Sequence, residues 1–277
     1  LDNSSRVTGN LYSNGPVVGA GLNDVTGSTV SATSTGLIDD VHSGTDGYAH
    51  TIRDSRIDRD AFYKTIIATT VGGTSYPGSP DQATSSLPIS DGQVSSWEAD
   101  AEAGGVISAP CPYKVPNGAV LGPKKITCDV EFKNVTATLS GAVWVTGTVV
   151  IKGSTIQVDP ALGRKSVMII SDNPANRLTS SKFTIETTSS FTGSGAGNSY
   201  VLLLSQNNSA ETGGVVSAID VQQTSTGDLL LYAGHGKTTL TQSTSLTEVT
   251  AYLVYLKQST NVIYEGGLAN LLFVSGP

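Results

Sequence analysis

Hydrophobic and polar residues alternate in short runs through the middle of the chain. Apolar side chains recur at every second position in DVEFKN, VTATLSG, AVWVTG, TVVIKG and STIQVDP, between positions 129 and 160. A period of two over pieces this short is typical of half-buried β-strands. The turns are small residues such as Gly141, Gly147 and Gly153, without an Asn-Gly hairpin. Such close spacing is too tight for a sandwich and favours a coil of short strands stacked in parallel.

Longer hydrophobic strands recur towards the end of the chain. They lie at 199–208, 228–236, 249–259 and 268–276, and the last three begin about 20 residues apart, a rung length typical of a solenoid. A fainter version of the pattern covers the first 75 residues. No rung of this kind can bury its apolar face alone, so rungs must stack on their neighbours. The pattern predicts an all-β protein, a right-handed parallel β-helix, whose handedness follows from the general preference for right-handed parallel connections.

One segment departs from this pattern and predicts a helix. A Pro- and Ser-rich stretch at 74–88 leads into Ser90-Asp-Gly-Gln93, a capping box with Ser at the N-cap and Gln at N3. An apolar stripe follows at i, i+3 and i+7, namely Val94, Trp97 and Ala101. Gly104-Gly105 supplies the stop signal, so we expect a helix from about 90 to 103 that Trp97 docks onto the solenoid.

These elements divide the chain into three parts. We expect N-terminal solenoid rungs at 1–75, the linker and short helix at 76–105, and the main solenoid at 106–277. Composition agrees with an all-β class, because 34 Ser, 33 Thr and 31 Gly make up about a third of the chain while charged residues are only 14%. Ser, Thr and Gly are mediocre to poor helix formers.

Charge and the chain ends bear on location and partners. A net charge of −7 argues against general binding to nucleic acid or to anionic membranes. No apolar run approaches the roughly 18 residues that span a bilayer. The chain begins at Leu1 in polar sequence, and we expect that an export or anchoring segment preceded it. Contact with a membrane is therefore expected only through that missing segment.

The two cysteines are expected to form a structural disulfide. Cys111 and Cys128 lie 17 positions apart, do not form a C-x-x-C redox motif, and enclose no His that would complete a metal site. A disulfide here would close a Pro- and Gly-rich loop and stabilise the fold by about 3 kcal/mol on the chain-entropy model. It also implies an oxidising compartment outside the cytoplasm.

The densest polar cluster lies between positions 39 and 60. Its members are the charged and imidazole side chains of Asp39, Asp40, His42, Asp46, His50, Arg53, Asp54, Arg56, Asp58, Arg59 and Asp60. A metal held by Asp with His42 or His50, or a carboxylate pair for glycoside cleavage, are two interpretations. The third is a solvated face of a rung, with Ile52, Ser55, Ile57 and Ala61 inside and Arg–Asp ion pairs outside. We favour the third, with no catalytic residue, metal or cofactor.

Other candidate motifs are weak. Calcium-binding repeats of the G-G-x-G-x-D type are absent, and Asp159 and Asp172-Asn173 are more typical of turns. His235 has no acidic or Cys neighbour in sequence, so we expect a surface imidazole. The G-x-S-x-G match at 193–197 lies between polar turns and lacks the strand-to-helix context of a hydrolase nucleophile.

Several phrases resemble a known group of proteins. NLYSNGPVVG, TTVGGTSYPGSPD, LPISDGQVSSWEADAEAGGVIS, LSGAVWVTGTVVIKGS, SYVLLLSQNNSAETGG, GDLLLYAGHG, LTEVTAY and VIYEGGLANLLFVSGP resemble uncharacterised bacterial surface proteins with a pilin-like (PilX-type) N-terminal helix followed by a β-solenoid. The resemblance runs across nearly all of the chain. It implies export, an envelope or pilus-like setting and no known enzymatic activity, and it supplies no catalytic residues. The N-terminal helix itself is not in this sequence.

We therefore expect an extracellular, cell-surface structural protein. Unpaired strand edges at the ends of a solenoid favour a filament-associated subunit that assembles with copies of itself. The alternative is an adhesive, carbohydrate-binding module, which needs aromatic side chains exposed on one face. The candidates are Tyr12, Tyr76, Tyr113 and Tyr232. A third interpretation is a β-helix polysaccharide lyase or hydrolase that uses Asp54, Asp58 or Asp60.

Overall fold

The computed structural model describes residues 1–223, 225–263 and 271–274 and consists mostly of β-strands with one α-helix. The chain forms two compact units. Unit 1 comprises the described residues of Leu1–Ser86 and Leu256–Glu265, and unit 2 those of Leu87–Tyr255 and Gly266–Pro277. The strand predicted at 268–276 lies partly outside the described residues.

Unit 1 begins with short strands that follow one another closely. In chain order they are β1 (Arg6–Thr8), β2 (Leu11–Ser13), β3 (Val17–Val18), β4 (Asp24–Val25), β5 (Thr29–Ser31), β6 (Leu37–Asp39), β7 (His42–Ser43), β8 (Gly47–Tyr48), β9 (Thr51–Arg53), β10 (Arg56–Ile57), β11 (Ala61–Tyr63), β12 (Thr65–Ile67), β13 (Thr70–Val71) and β14 (Ser75–Pro77).

Unit 2 opens with helix α1 (Asp91–Ala103) and continues in strands. They are β15 (Val106–Ile107), β16 (Tyr113–Lys114), β17 (Ala119–Leu121), β18 (Lys124–Ile126), β19 (Val130–Lys133), β20 (Thr136–Leu139), β21 (Val143–Val145), β22 (Val149–Lys152), β23 (Thr155–Val158), β24 (Ser166–Ser171), β25 (Phe183–Glu186), β26 (Ser189–Thr192), β27 (Val201–Ser205), β28 (Ser217–Val221), β29 (Ser225–Gly227), β30 (Leu229–Leu240), β31 (Ser245–Leu246) and β32 (Glu248–Leu256). A single 3-10 turn, Pro160–Leu162, precedes β24. The last strands are β33 (Asn261–Ile263), in unit 1, and β34 (Phe273–Val274), in unit 2.

In unit 1 the strands β1 to β11 each pair in parallel with the strand three places further along the chain, and β1 also pairs with β33. Three sheets result, with the orders β13-β10-β7-β4-β1-β33, β14-β11-β8-β5-β2 and β12-β9-β6-β3, which we call the first, second and third sheets. We call three consecutive strands, one in each sheet, a rung. Unit 1 therefore has four complete rungs and a fifth that consists of β13 and β14.

Unit 2 follows the same rule with longer strands. The first strands of its rungs pair in the order β15-β18-β21-β24-β27, the second in the order β16-β19-β22-β25-β28, and the third in the order β17-β20-β23-β26-β29. The long strand β30 pairs with both β27 and β28 and so joins the first two rows into one sheet. The strands predicted from alternation between 129 and 160 are confirmed as β19 to β23.

The core of unit 1 is narrow and consists of small and branched side chains. Ile38, Ile52 and Ile57 have no exposed surface. Gly47, in β8, lies against them, and a Cβ atom there would stand 2.7 Å from Cδ1 of Ile57. The buried hydroxyl of Ser43 donates a hydrogen bond to Thr29 Oγ1 at 2.6 Å, so these two hydroxyls satisfy one another inside the core.

Helix α1 is confirmed at the predicted position. The Ser90 hydroxyl accepts a hydrogen bond from the Gln93 amide at 3.2 Å, as the capping box predicts. The helix packs on β18 and β21 and covers an apolar surface of unit 2. Trp97 lies in that cluster with Trp144, and its ring centroid is 5.3 Å from that of Phe273. The helix therefore covers the side of the sheet, and for this reason β24 and β27 are buried on both faces.

Corners between sheets recur at equivalent positions and need unusual backbone conformations. Asp40, Asp54 and Ala68 each follow a strand of the third sheet, and their φ angles are 52°, 48° and 45°. Asp tolerates this left-handed region better than most residues. In unit 2 the equivalent corner after β22 and β25 is Gly153 and Thr187, with φ of 57° and 56°. The β-branched Thr187 is the costly member of this set.

Candidate functional site

The 39–60 cluster lies on the outer surface of unit 1 as a set of ion pairs between rungs. Ile52, Ser55, Ile57 and Ala61 are buried, which confirms the predicted inner positions of this rung. On the outside, the Arg53 guanidinium binds the Asp39 carboxylate of the rung before it, and this partner lowers the pKa of Asp39. The cluster therefore holds neighbouring rungs together.

Corner carboxylates in the same region also bind backbone. The Asp46 carboxylate accepts the backbone N–H of Asp60 at 3.2 Å, and the Asp60 carboxylate accepts that of Thr74 at 2.8 Å. Each carboxylate thus satisfies a donor one rung further along the chain. These two aspartates have a structural role that their sequence positions did not reveal.

His42 stands at the centre of a row of charges on the first sheet. Its Nδ1 lies 3.1 Å from Asp24 and its Nε2 lies 3.0 Å from Asp58. Asp24 also pairs with Arg6 at 3.4 Å, and Asp58 with Arg56 at 2.7 Å. Hydrogen bonds from His42 and Arg56 lower the pKa of Asp58. Every charge in this row has an opposite partner.

A groove of about 600 Å³ opens beside this row, and its lining includes Ser4 and Arg56. Asp24, Asp40 and Asp54 line it. Within residues 1–223, 225–263 and 271–274, no group of three or more His, Cys, Asp and Glu side chains is arranged to hold a metal ion. The groove is thus an open, charged surface.

The Pro- and Ser-rich segment is ordered along the outside of unit 1. We call residues 78–86 the strap. Lys64 Nζ donates to the carbonyl of Gly78, His50 pairs with Asp81 at 3.0 Å, and Asn14 exchanges two hydrogen bonds of 2.8 Å with the backbone of Ser85. The strap therefore runs from the fourth rung back to the first.

The last rung of unit 1 ends in open strand edges. β12, β13 and β14 are the terminal strands of their three sheets, and no strand of the described residues pairs with their outer edges. Their side chains are exposed or half-exposed, and Ile67 and Tyr76 are 49% and 42% exposed. No charged residue occurs between Lys64 and Asp81. This surface, which we call the unit 1 edge, carries no charged side chain and is unpaired by any described strand.

The first rung of unit 2 has similar edges. β15, β16 and β17 are terminal strands among the residues that the structure describes, and Val106 and Val120 are 53% and 65% exposed. The predicted disulfide is confirmed: Cys111 and Cys128 are bonded, with their Cα atoms 5.9 Å apart. It links the first rung to the second. We call this surface, β15 to β17, the unit 2 edge.

Aromatic side chains form a row on the second sheet of unit 1. Tyr48, Phe62 and Tyr76 occupy matching positions on neighbouring strands, and their rings stack at centroid distances of 4.5 and 4.6 Å. Stacking covers ring faces, which a sugar would need. Tyr12 belongs to the same face and is 48% exposed, but its hydroxyl donates to the carbonyl of Ala83 in the strap.

The other two predicted tyrosines are not part of an exposed aromatic face. Tyr232 is 3% exposed, and its hydroxyl donates to the carbonyl of Ile89 at 2.5 Å, so it does not supply the exposed ring that the carbohydrate-binding alternative needs. Tyr113 is half-buried in the unit 2 edge. Sequence alternation could not detect the burial of Tyr232, because helix α1 and its approach cover the outer face.

A carboxyl pair beneath helix α1 was not predicted. Asp172 is fully buried and receives two hydrogen bonds from the Arg177 guanidinium, at 2.8 and 2.6 Å. Glu98, on the helix, is 7% exposed and lies against Asp172, and its Oε1 has no hydrogen-bond partner. Burial, with the neighbouring Asp172 carboxylate, raises the pKa of Glu98 to about 8. Glu98 is therefore a neutral acid at neutral pH.

His235 is partly exposed at the surface, where it also joins the start of the helix to the sheet. Its Nε2 lies 3.0 Å from Asp91 and its Nδ1 lies 2.6 Å from Glu211. Burial alone would lower the pKa of His235, but the two carboxylates raise it overall. The acidic partners are distant in sequence. By contrast, Asp159 and Asn173 accept backbone N–H groups in turns, as expected.

No family model, curated protein or solved structure matches this chain. Within the described residues, no helix has the length and apolar character to cross a bilayer. The disulfide points to an oxidising environment.

Proposed function

We propose that the protein is a secreted, cell-surface structural subunit that assembles with copies of itself into a filament. The observation that carries this proposal is the unit 1 edge, where all three sheets stop at strands that no other described strand pairs with. Unpaired strand edges present rows of N–H and C=O groups that readily pair with another chain. A second copy of this chain is the occupant that supplies matching strands.

The composition of the unit 1 edge supports this role. Edge strands that must stay unpaired usually carry charges, bulges or proline. Here no charged residue lies between positions 65 and 80, although the two preceding rungs are dense in Asp and Arg. Successive N–H groups of a strand point to opposite edges, so Pro77 removes one donor from the open edge of β14 and Ser75 keeps its own there. The charged side chains in the rungs of unit 1 therefore lie on the earlier rungs and are absent from the strands of the unit 1 edge.

The fold proposed for this subunit is a right-handed parallel β-helix. Parallel pairing of strands three places apart supports it, together with the general right-handed preference of parallel connections. An extracellular setting is supported by the Cys111–Cys128 disulfide and by the sequence resemblance to pilin-like surface proteins. A structural role needs no enzymatic activity, and the paired charges around His42 are consistent with that.

Glycan binding is the second candidate, and the aromatic row does not favour it. Sugars stack on exposed ring faces, whereas Tyr48 and Phe62 cover one another with interplanar angles of 4° to 5° along the row. At one end of the row Tyr48 has Val30 as its neighbour on the adjacent strand, and at the other end no described strand follows Tyr76, so the outer face of Tyr76 has no neighbouring strand. That face lies at the unit 1 edge and fits continued stacking of rungs.

Self-assembly is tested by sedimentation velocity over a range of concentrations, with two matched variants. Ile67 and Val18 stand at opposite ends of one outward row of the third sheet and are 49% and 48% exposed. Ile67→Lys places a charge in the unit 1 edge and should raise the concentration needed for assembly by about tenfold or more. Val18→Lys should leave assembly unchanged. A native protein that sediments as a monomer at all concentrations would refute the proposal.

A further inference from the structure

We infer that the unit 1 edge of one copy docks on the unit 2 edge of the next copy, an inference that rests on the proposed self-assembly. The two edges have opposite character along the chain. One is the last rung of its unit and the other is the first rung of its unit. Stacking a first rung on a last rung continues the parallel pairing found inside both units. Two identical edges that meet through a two-fold axis would have to pair antiparallel.

The ends also fit strand by strand. The unit 1 edge forms a step, because β12 belongs to the fourth rung whereas β13 and β14 belong to the fifth. The first rung of unit 2 likewise runs in chain order from β15 through β16 to β17. The two steps fit together when β15 lies on β12, β16 on β13 and β17 on β14. This arrangement leaves no strand of either edge unpaired.

Side-chain alternation agrees with the pairing of β14 and β17. In β14, Tyr76 points outward, in line with Phe62, and its two neighbours face inward. In β17, Val120 points outward, in line with Thr138, and its two neighbours are in line with buried Ala137 and Leu139. Both strands have three residues, so the alternation matches in register. Val120 would then cover the free face of Tyr76.

Charge supports the same partner. Residues 1–86 carry nine Asp against five Lys and Arg, whereas residues 106–133 carry four Lys against one Asp and one Glu. The edge region of unit 2, residues 103–123, has Lys114 as its single charged side chain. Among the strands of the two edges, Lys114 in β16 is the one charged side chain, and the opposite net charges of these two segments favour approach of the correct ends. The Cys111–Cys128 disulfide holds the first rung of unit 2, on which the neighbouring copy would dock, to the second rung.

The pairing is tested with introduced cysteines in the full chain. Both native cysteines are bonded, so new thiols are the only free ones. Neighbouring strands lie about 4.8 Å apart, within the Cα separation of a disulfide. The double variant Tyr76→Cys/Val120→Cys should form a ladder of covalent oligomers on mild oxidation, seen on non-reducing gels and lost on reduction.

Three controls separate the outcomes. Each single variant should stay monomeric on the gel, and Tyr12→Cys/Val120→Cys should give no ladder, because Tyr12 lies four rungs from Tyr76, about 19 Å. Covalent dimers from Tyr76→Cys alone would mean that identical edges meet and would overturn the inference. Native assemblies in sedimentation without a ladder from the double variant would overturn this pairing and leave self-assembly standing. A native protein without assemblies would overturn both.

Discussion

Replacing Glu98 with Gln removes the one strongly shifted carboxyl group beneath helix α1. Burial, with help from Asp172, raises the pKa of Glu98 to about 8, and positive charges on Arg177 and Lys125 partly oppose the shift. Glu98 is thus held as a neutral acid in the folded protein, whereas it ionises freely near pH 4.5 in the unfolded chain. Glutamine has the same shape as the neutral acid and does not titrate.

The size of the effect follows from proton linkage. Between pH 4.5 and 8 the folded protein binds a proton that the unfolded chain releases, so this group makes stability fall as pH rises. Each pH unit costs at most about 1.4 kcal/mol, so the loss between pH 5 and pH 8 is at most about 4 kcal/mol. The Glu98→Gln variant should lose most of this slope. At pH 8 it should therefore be more stable than the native protein, by about 2 to 4 kcal/mol.

Urea denaturation followed by tryptophan fluorescence measures this directly. Both tryptophans of the chain, Trp97 and Trp144, lie in the cluster beneath the helix and report on its docking. Glu102→Gln is the matched control, because Glu102 is on the same helix but is exposed and pairs with Lys125 at 2.9 Å. A smaller slope of the same sign remains from His235, whose raised pKa adds stability that is lost as pH rises through it. A Glu98→Gln variant with the native slope would refute the reasoning.

Three further changes have defined outcomes. Thr187→Asn should raise the thermal stability of the protein by about 1 kcal/mol, because Asn tolerates the left-handed backbone at that corner and a β-branched residue does not. Tyr232→Phe should lower stability in urea by about 1 to 2 kcal/mol, because the buried carbonyl of Ile89 loses its donor. Replacing Cys111 and Cys128 with Ser should cost about 3 kcal/mol and speed hydrogen exchange in the first rung of unit 2.

The fold was predictable where the cause is local. Alternation gave the short strands around Val143 and Val149, the capping box gave the helix at Ser90, and the spacing of the two cysteines gave the disulfide. In each case the determining interactions lie within a few residues, or within one loop. Parallel stacking was also predictable, because strands this short and closely spaced leave no room for hairpins.

The contacts of helix α1 were not predictable for the opposite reason. His235 meets Asp91 across 144 positions, and Tyr232 meets Ile89 across 143. The burial of Glu98 against Asp172 likewise depends on where the helix docks. A strand that is buried on both faces loses the alternation of apolar and polar residues and becomes an unbroken apolar run, as in β27. That run was the available signal for a covering helix.

The strap illustrates the same limit. Its Pro- and Ser-rich composition predicts a linker, yet its hydrogen bonds go to Asn14, His50 and Lys64, which belong to three different rungs. The composition of the strap indicates an irregular segment, but its hydrogen-bond partners become neighbours only when the rungs stack. The charge-free stretch at 65–80 was equally visible in the sequence. Its position at the edge of unit 1 could not be predicted, because that position depends on where the stack of rungs ends.

Negative-stain electron microscopy of the native protein over a concentration series tests the central claim most directly. Head-to-tail docking of the unit 1 edge on the unit 2 edge predicts unbranched filaments one subunit wide, whose length grows with protein concentration. Their axial repeat should equal one subunit, and the Ile67→Lys variant should shorten them. Isolated particles of 28.5 kDa at every concentration would contradict the claim.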